Sequence, residues 1–123
     1  MAKIFFDTNY VVGLVNRIPE TDTEILNNHE GFISALSCHI LFYINKIAVP
    51  DEKTNAFLDD FNIVDLTNSV LRKALEGPTG DLEDNIQLLS AIENDCEYFL
   101  TADKKLLKMK YFGRLQIVNT LAD

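Results

Sequence analysis

Apolar residues along this chain fall in short runs that end on polar punctuation. "KIFF" at residues 3–6, "GFIS" at 31–34, "NIVDL" at 62–66, "EYFLT" at 97–101 and "LQIVN" at 115–119 are rich in β-branched and aromatic side chains and read as strands. Between them lie stretches with helical spacing, over residues 10–15, 19–28, 36–47, 51–60, 68–75, 82–94 and 104–108. Strands that alternate with helices, without internal repeats, predict a parallel sheet covered on both faces, a three-layer α/β/α sandwich. The loop-rich break "EGPTGD" at residues 76–81 reads as a connection, so residues 1–123 are expected to form a single domain.

Composition narrows the class. With 123 residues, 47% of them hydrophobic and 24% charged, the chain is long enough to bury a real core. The longest apolar stretch, "ISALSCHILFYI", is interrupted by Ser and His and is too short for a membrane span. The opening "MAKIFFDTN" has neither a long apolar segment nor a small-residue cleavage site, so it does not read as a signal peptide. Cys38 and Cys96 are single residues without CxxC spacing and read as reduced core thiols. A cytoplasmic protein with no membrane anchor is the expectation.

The net charge of -8 argues against a general nucleic-acid binder, which normally presents a basic surface. The distribution qualifies this. Five of the eleven basic residues, Lys104, Lys105, Lys108, Lys110 and Arg114, fall within one eleven-residue stretch that holds no acid. On composition alone this is a solvated helix face and loop.

In a parallel α/β sheet, chemistry gathers beyond the carboxyl ends of the strands. Asp7 directly follows the first strand, and Asp103 lies two residues after Thr101 at the end of the fourth. Asp81 and Asp84 are three apart at the start of a helix and share one face. Each acid also suits a simpler role: Asp7 and Asp103 as helix caps, Asp81, Glu83 and Asp84 as partners of a helix dipole. The coincidence of position, beside Thr8, Asn9 and Thr101, favours a shared site. Carboxylates held together repel unless protons or a cation compensate, and hard oxygen donors suit Mg²⁺ or Mn²⁺.

"FFDTNYVVGLV", "GDLEDNIQLLSAIENDCEYFLTADKKLL" and the closing "LQIVNTLAD" together resemble a PIN domain, in order and over nearly the whole chain. The resemblance implies a five-stranded parallel sheet of order 3-2-1-4-5, an acid cluster that binds Mg²⁺ or Mn²⁺, and hydrolysis of RNA phosphodiester bonds. Many small bacterial members are VapC-like toxins that pair with an antitoxin and form dimers, so RNA, an antitoxin and a second copy of the chain are the implied partners. Carried over residue by residue, Asp7 matches the first family acid, Asp84 the third and Asp103 the fourth. Thr8 or Asn9, and Thr101, match supporting polar positions. The second acid is normally a Glu early in the helix after strand two, and Ile40 stands there instead. His39 adjoins that position, but one residue turns a helix by about 100° and aims it elsewhere. Asp81, one turn before Asp84, is better placed as an additional ligand.

The activity so implied is metal-assisted hydrolysis at Asp7, Asp84 and Asp103, with Lys104, Lys105 and Lys108 holding the RNA backbone over an acidic cleft. Two other classes compete. A PIN fold weakened at Ile40 acts only as an RNA- or protein-binding module. A receiver-type phosphoacceptor domain needs an Asp ending strand three and a Lys ending strand five, whereas Asp65 lies within "NIVDL" and "LQIVNTLAD" has no Lys.

Overall fold

A computed structural model describes residues 1–17 and 28–121. Strand β1 (Lys3–Phe6) leads into helix α1 (Thr8–Arg17), and strand β2 (Glu30–Ser34) into α2 (Ala35–Ile44) and α3 (Glu52–Leu58). Strand β3 (Asn62–Val64) is followed by α4 (Asn68–Ala74) and α5 (Leu82–Glu93), then by β4 (Tyr98–Leu100), α6 (Lys104–Met109), β5 (Tyr111–Phe112) and β6 (Leu115–Val118). All but the last residue of the helix expected over residues 19–28 lies outside the described residues.

The sheet order is β3-β2-β1-β4-β6-β5. Every pairing is parallel except that of β5 with β6. The five expected strands are therefore present in the expected order, and one correction is needed: a sixth strand, β5, turns back on β6 as an antiparallel hairpin. Its loop is Gly113-Arg114, with Gly113 at φ +62, a backbone region that glycine enters without strain. Two residues are too few to show a period along the chain.

Alternation along the strands divides the core. Phe5, Phe32, Val64, Phe99, Leu115 and Ile117 face α5 and α6, where Leu88, Ala91 and Leu106 pack on them. Their neighbours Ile4, Phe6, Ile33 and Leu100 face α1 and α2, where Val11, Cys38 and Leu41 meet them. The Phe5 and Phe99 rings stack at 5.8 Å between centroids, across the β1–β4 pair. Helix α4 lies outside α5 and contributes Val70 and Ala74 against Ile86. Cys38 and Cys96 are buried free thiols, and burial pushes them up to about 11 and about 12. Among the described residues no helix is long and apolar enough to cross a membrane.

Helix starts follow side-chain chemistry. Ser34, Asp51, Thr67, Asp81 and Asp103 each accept a backbone N–H of the helix they precede, which satisfies donors that the first turn leaves open. Helix α1 begins earlier than its spacing suggests, because the Asp7 carbonyl accepts from Val11 N at 3.1 Å and draws Thr8 and Asn9 into the first turn. Helix α2 stops at Ile44, three residues short of expectation, and Lys46 beyond it takes a positive φ of 53.

Candidate functional site

Strand β1 sits between β2 and β4, so the chain leaves it in one direction early and returns to its other side late. The carboxyl ends of β1 and β4 meet at this reversal, where an open α/β sheet leaves a crevice. Asp7 and Thr101 are the first residues beyond those ends, and Asp7 N donates to Leu100 O at 3.0 Å across the pair.

Asp7 is buried at 3% exposure and fully engaged. Its Oδ1 accepts from Thr8 N at 2.9 Å, and its Oδ2 accepts from the Thr101 hydroxyl at 2.7 Å. Thr101 Oγ1 in turn accepts from Asp103 N at 3.0 Å, so one buried threonine ties the first acid to the last. Asp103 caps α6, with Oδ1 accepting from Lys105 N at 2.8 Å and Leu106 N at 3.3 Å. Asp81 caps α5 through Asp84 N at 3.0 Å. Capping and clustering coexist here, because the hydrogen bonds among the described residues use one oxygen of each capping carboxylate.

Electrostatics shows how close the acids lie. Burial raises the pKa of Asp7 above the ordinary carboxylate value; the Thr101 and Thr8 hydrogen bonds oppose this, and the charges of Asp103 and Asp81 add to it. Asp84 is pushed up to about 6, by burial first and then by Asp81, Asp7, Asp103 and Glu83. Glu83 is raised by burial, Asp7 and Asp81, and lowered by a hydrogen bond from the Thr8 side chain. The structure thus brings together Asp7, Asp84 and Asp103, with Asp81 and Glu83 beside them.

Among the described residues no three or more Asp, Glu, His or Cys side chains form a group that could hold a metal ion. The chemistry of the crevice acids, rather than their spacing, is what suits a hard divalent cation. Their donors are all carboxylate oxygens, and burial first and neighbouring acids second raise the pKa of Asp7 and Asp84, a cost that bound Mg²⁺ or Mn²⁺ would relieve. Asp7, Asp84 and Asp103 are the acids that would have to draw together to hold one, with Asp81 within electrostatic reach.

The remaining sequence candidates divide. Thr8 and Thr101 are buried within the site, while Asn9 is exposed one residue further round α1. Lys104, Lys105 and Lys108 are exposed on α6, which starts at the Asp103 cap. His39 is exposed, its ring 6.3 Å from Tyr43. Ile40 is half-buried, three residues after Ser37 and so on the same face of α2.

Sequence reasoning missed a buried polar knot behind Asp7. Gln87 Nε2 donates to Thr8 Oγ1 and to Ser37 Oγ, both at 2.9 Å, and these two hydroxyls are 2.6 Å apart. Its only signal was a Gln between Ile86 and Leu88, on a helix face that otherwise packs into the core.

The PIN domain family profile matches residues 4–110. No individually curated protein matches the chain. Among solved structures, one of VapBC2 from Rickettsia felis bound to a DNA fragment from its promoter contains a chain that superposes with a TM-score of 0.65 at 20% identity. The match covers 94% of this chain and 97% of that one. A chain in the structure of FitAB bound to an IR36 DNA fragment superposes at 0.62 with 15% identity, over 94% of this chain and 93% of that one. Identities this low establish shared fold alone, whereas the family match spans β1 through α6 and takes in every acid of the crevice, and on that match the chain belongs to the PIN domain family.

Proposed function

We propose that the chain is a divalent-metal-dependent ribonuclease, the toxin of a toxin–antitoxin pair, acting as a homodimer. PIN domains are typically metal-dependent nucleases. The observation that carries the reading is the gathering of Asp7, Asp84 and Asp103 about the β1–β4 crevice, where burial first and the neighbouring acids second push Asp84 up to about 6. Near neutral pH that value still leaves Asp84 mostly ionised and able to bind a cation.

A bound Mg²⁺ or Mn²⁺ supplies Lewis acidity toward a phosphodiester and lowers the pKa of water at the site. The chain's own residues do the rest. Thr101 and Thr8 N hold both oxygens of Asp7, so its carboxylate presents one orientation to the crevice. Asp103 is fixed by the first turn of α6 and Asp84 by the first turn of α5. Lys104, Lys105 and Lys108 follow Asp103 directly and supply the positive charge that an RNA backbone needs to approach an acidic crevice, positioning it without reading its sequence.

Fold likeness to chains from VapBC2 and FitAB supports the assignment to a toxin–antitoxin pair. The deciding experiment is cleavage of a labelled RNA with Mn²⁺ or Mg²⁺, by the parent and by Asp7→Asn. Cleavage that needs both metal and Asp7 is the expected result. A parent chain that binds RNA but never cuts it, at any metal concentration, would make this a binding module instead.

A further inference from the structure

We propose, resting on the ribonuclease reading above, that the β5 edge of the sheet binds single-stranded RNA, with Tyr111 stacking a base between phosphates held by Lys110 and Arg114.

Strand β5 is the outermost of the sheet and pairs with β6 alone. Tyr111 opposes Gln116, and Phe112 opposes Leu115. Phe112 and Leu115 pack into the core beneath α5 and α6. Side chains alternate along a strand, so Tyr111 and Gln116 point to the opposite face, where Tyr98 of β4 stands on the other side of Gln116. The three form a row across adjacent strands that ends on Tyr111. Its side chain is 59% exposed and has no hydrogen bond or ring contact among the described residues. A ring at the open end of a sheet row is a surface on which a base can lie flat, and the neighbouring Gln116 amide offers a donor and an acceptor to the base edge.

Charge singles out the same edge. The chain carries -8 overall, yet Lys104, Lys105, Lys108, Lys110 and Arg114 are all exposed. None of the five is ion-paired among the described residues, where the pair formed is Lys73 with Glu93. The α6 lysines lead from Asp103 at the crevice down to β5, and there one cation precedes Tyr111 while another follows it in the hairpin loop. Lys110 also takes a φ of 64, which glycine enters freely and a residue with a side chain enters at a cost. Such strain persists where the side chain is used, and here it places a lysine directly before the exposed tyrosine. Cations along a backbone with bases stacked on an aromatic ring grip a single strand whatever its sequence, whereas a duplex hides its base faces.

The test uses the full chain and a short single-stranded oligoadenylate with chelator present, so that binding is read without cleavage. The chain has no tryptophan, so Tyr111→Trp creates a lone indole. Its fluorescence should be quenched by oligoadenylate and unchanged by an equally charged chain of abasic units. Tyr111→Ala should weaken oligoadenylate binding about tenfold and leave abasic binding within about twofold, while Tyr111→Phe keeps both. Lys110→Gly removes a charge and the backbone strain together, so the melting temperature should rise while affinity falls and the salt slope flattens by about 0.7. Lys46→Gly, the same change at a φ of 53 beyond the end of α2, should raise the melting temperature and leave affinity within about twofold. If Lys104→Ala with Lys108→Ala weakens binding, but Tyr111→Ala leaves it within about twofold and the indole is not quenched, only this inference falls. Tighter binding of a duplex than of the single strand, indifferent to Tyr111, overturns it equally. A parent that binds no RNA of either kind overturns the ribonuclease reading, and this surface with it.

Discussion

Asp84 carries the pH behaviour of the acids most visibly. Its pKa of about 6 in the folded chain, against an ordinary aspartate value of 3.8, means that between those two values the native state holds a proton which the unfolded state has released. Stability therefore falls as pH rises through that window, and Asp7 and Glu83, also raised, act in the same direction. With chelator present, Asp84→Asn should gain on the parent in melting temperature as pH rises from about 4 to about 7. A constant difference across that range would show that Asp84 is not repelled. Metal reverses the trend, because binding needs ionised carboxylates: the rise in melting temperature caused by Mn²⁺ should be larger at about pH 7 than at about pH 5. Asp7→Asn and Asp103→Asn should each remove most of that rise. Asn caps a helix about as well as Asp, so Asp103→Asn isolates charge from capping. An unchanged metal response in both variants would leave these acids as structural groups only.

Two helices do the positioning. Helix α5 carries Asp84 into the crevice, and Asn85 beside it anchors the loop that leads in. Its Oδ1 accepts from Thr79 N at 2.8 Å and Thr79 Oγ1 at 2.7 Å, and its Nδ2 donates to Ala74 O and Thr79 O at 2.9 and 3.0 Å. Thr79 Oγ1 in turn accepts from Asp81 N at 3.0 Å, so the cap of α5 depends on a side chain one turn inside it. Asn85→Ala should cost about 1–3 kcal/mol in chemical denaturation by orphaning these groups, and should weaken Mn²⁺ binding as the loop loosens. A loss below a few tenths of a kcal/mol would mean that the loop holds itself. Helix α6 is the charged counterpart. If Lys104 and Lys108 each contact one phosphate of single-stranded RNA, Lys104→Ala with Lys108→Ala should flatten the slope of log affinity against log salt by about 1.4, equally for unrelated sequences. An unchanged slope would assign those lysines to a solvated face.

At the scale of the whole molecule, the reversal of strand order at β1 gathers acids from three separate parts of the chain. It also leaves a second surface. Helices α2 and α3 frame a groove of about 390 Å³ lined by Phe42, Ile47 and Leu58, with Tyr43 at 78% and Val49 at 87% exposure beside it. Ile44 on the same helix is 52% exposed. An apolar surface of this kind is where a second copy would sit, in a two-fold arrangement. Sedimentation at micromolar concentration should show a dimer, and Tyr43→Glu should shift it toward monomer. A parent that is monomeric throughout would count against toxin-like association and leave the fold untouched.

Most strand and helix positions among the described residues, the α/β class and the placing of Asp7, Asp81, Asp84 and Asp103 at strand ends and helix starts were legible in the sequence, because apolar runs, their period and their polar stops are local properties of a chain. The rule that chemistry gathers at a reversal of strand order carried those positions to a single crevice. The two-residue strand β5 was not legible, having no period to show, and the start of α1 at Thr8 depends on the Asp7 carbonyl rather than on hydrophobic spacing. Least legible was the buried polar knot behind Asp7. Thr8 meets Ser37 across 29 residues of sequence, Ser37 meets Gln87 across 50, Thr8 meets Gln87 across 79, and Asp7 meets Thr101 across 94. A Gln in an apolar run or a Ser before a Cys looks the same whether it faces water or a partner. Only the close approach of the β1 end, α2 and α5 brings Thr8, Ser37 and Gln87 within hydrogen-bond distance of one another.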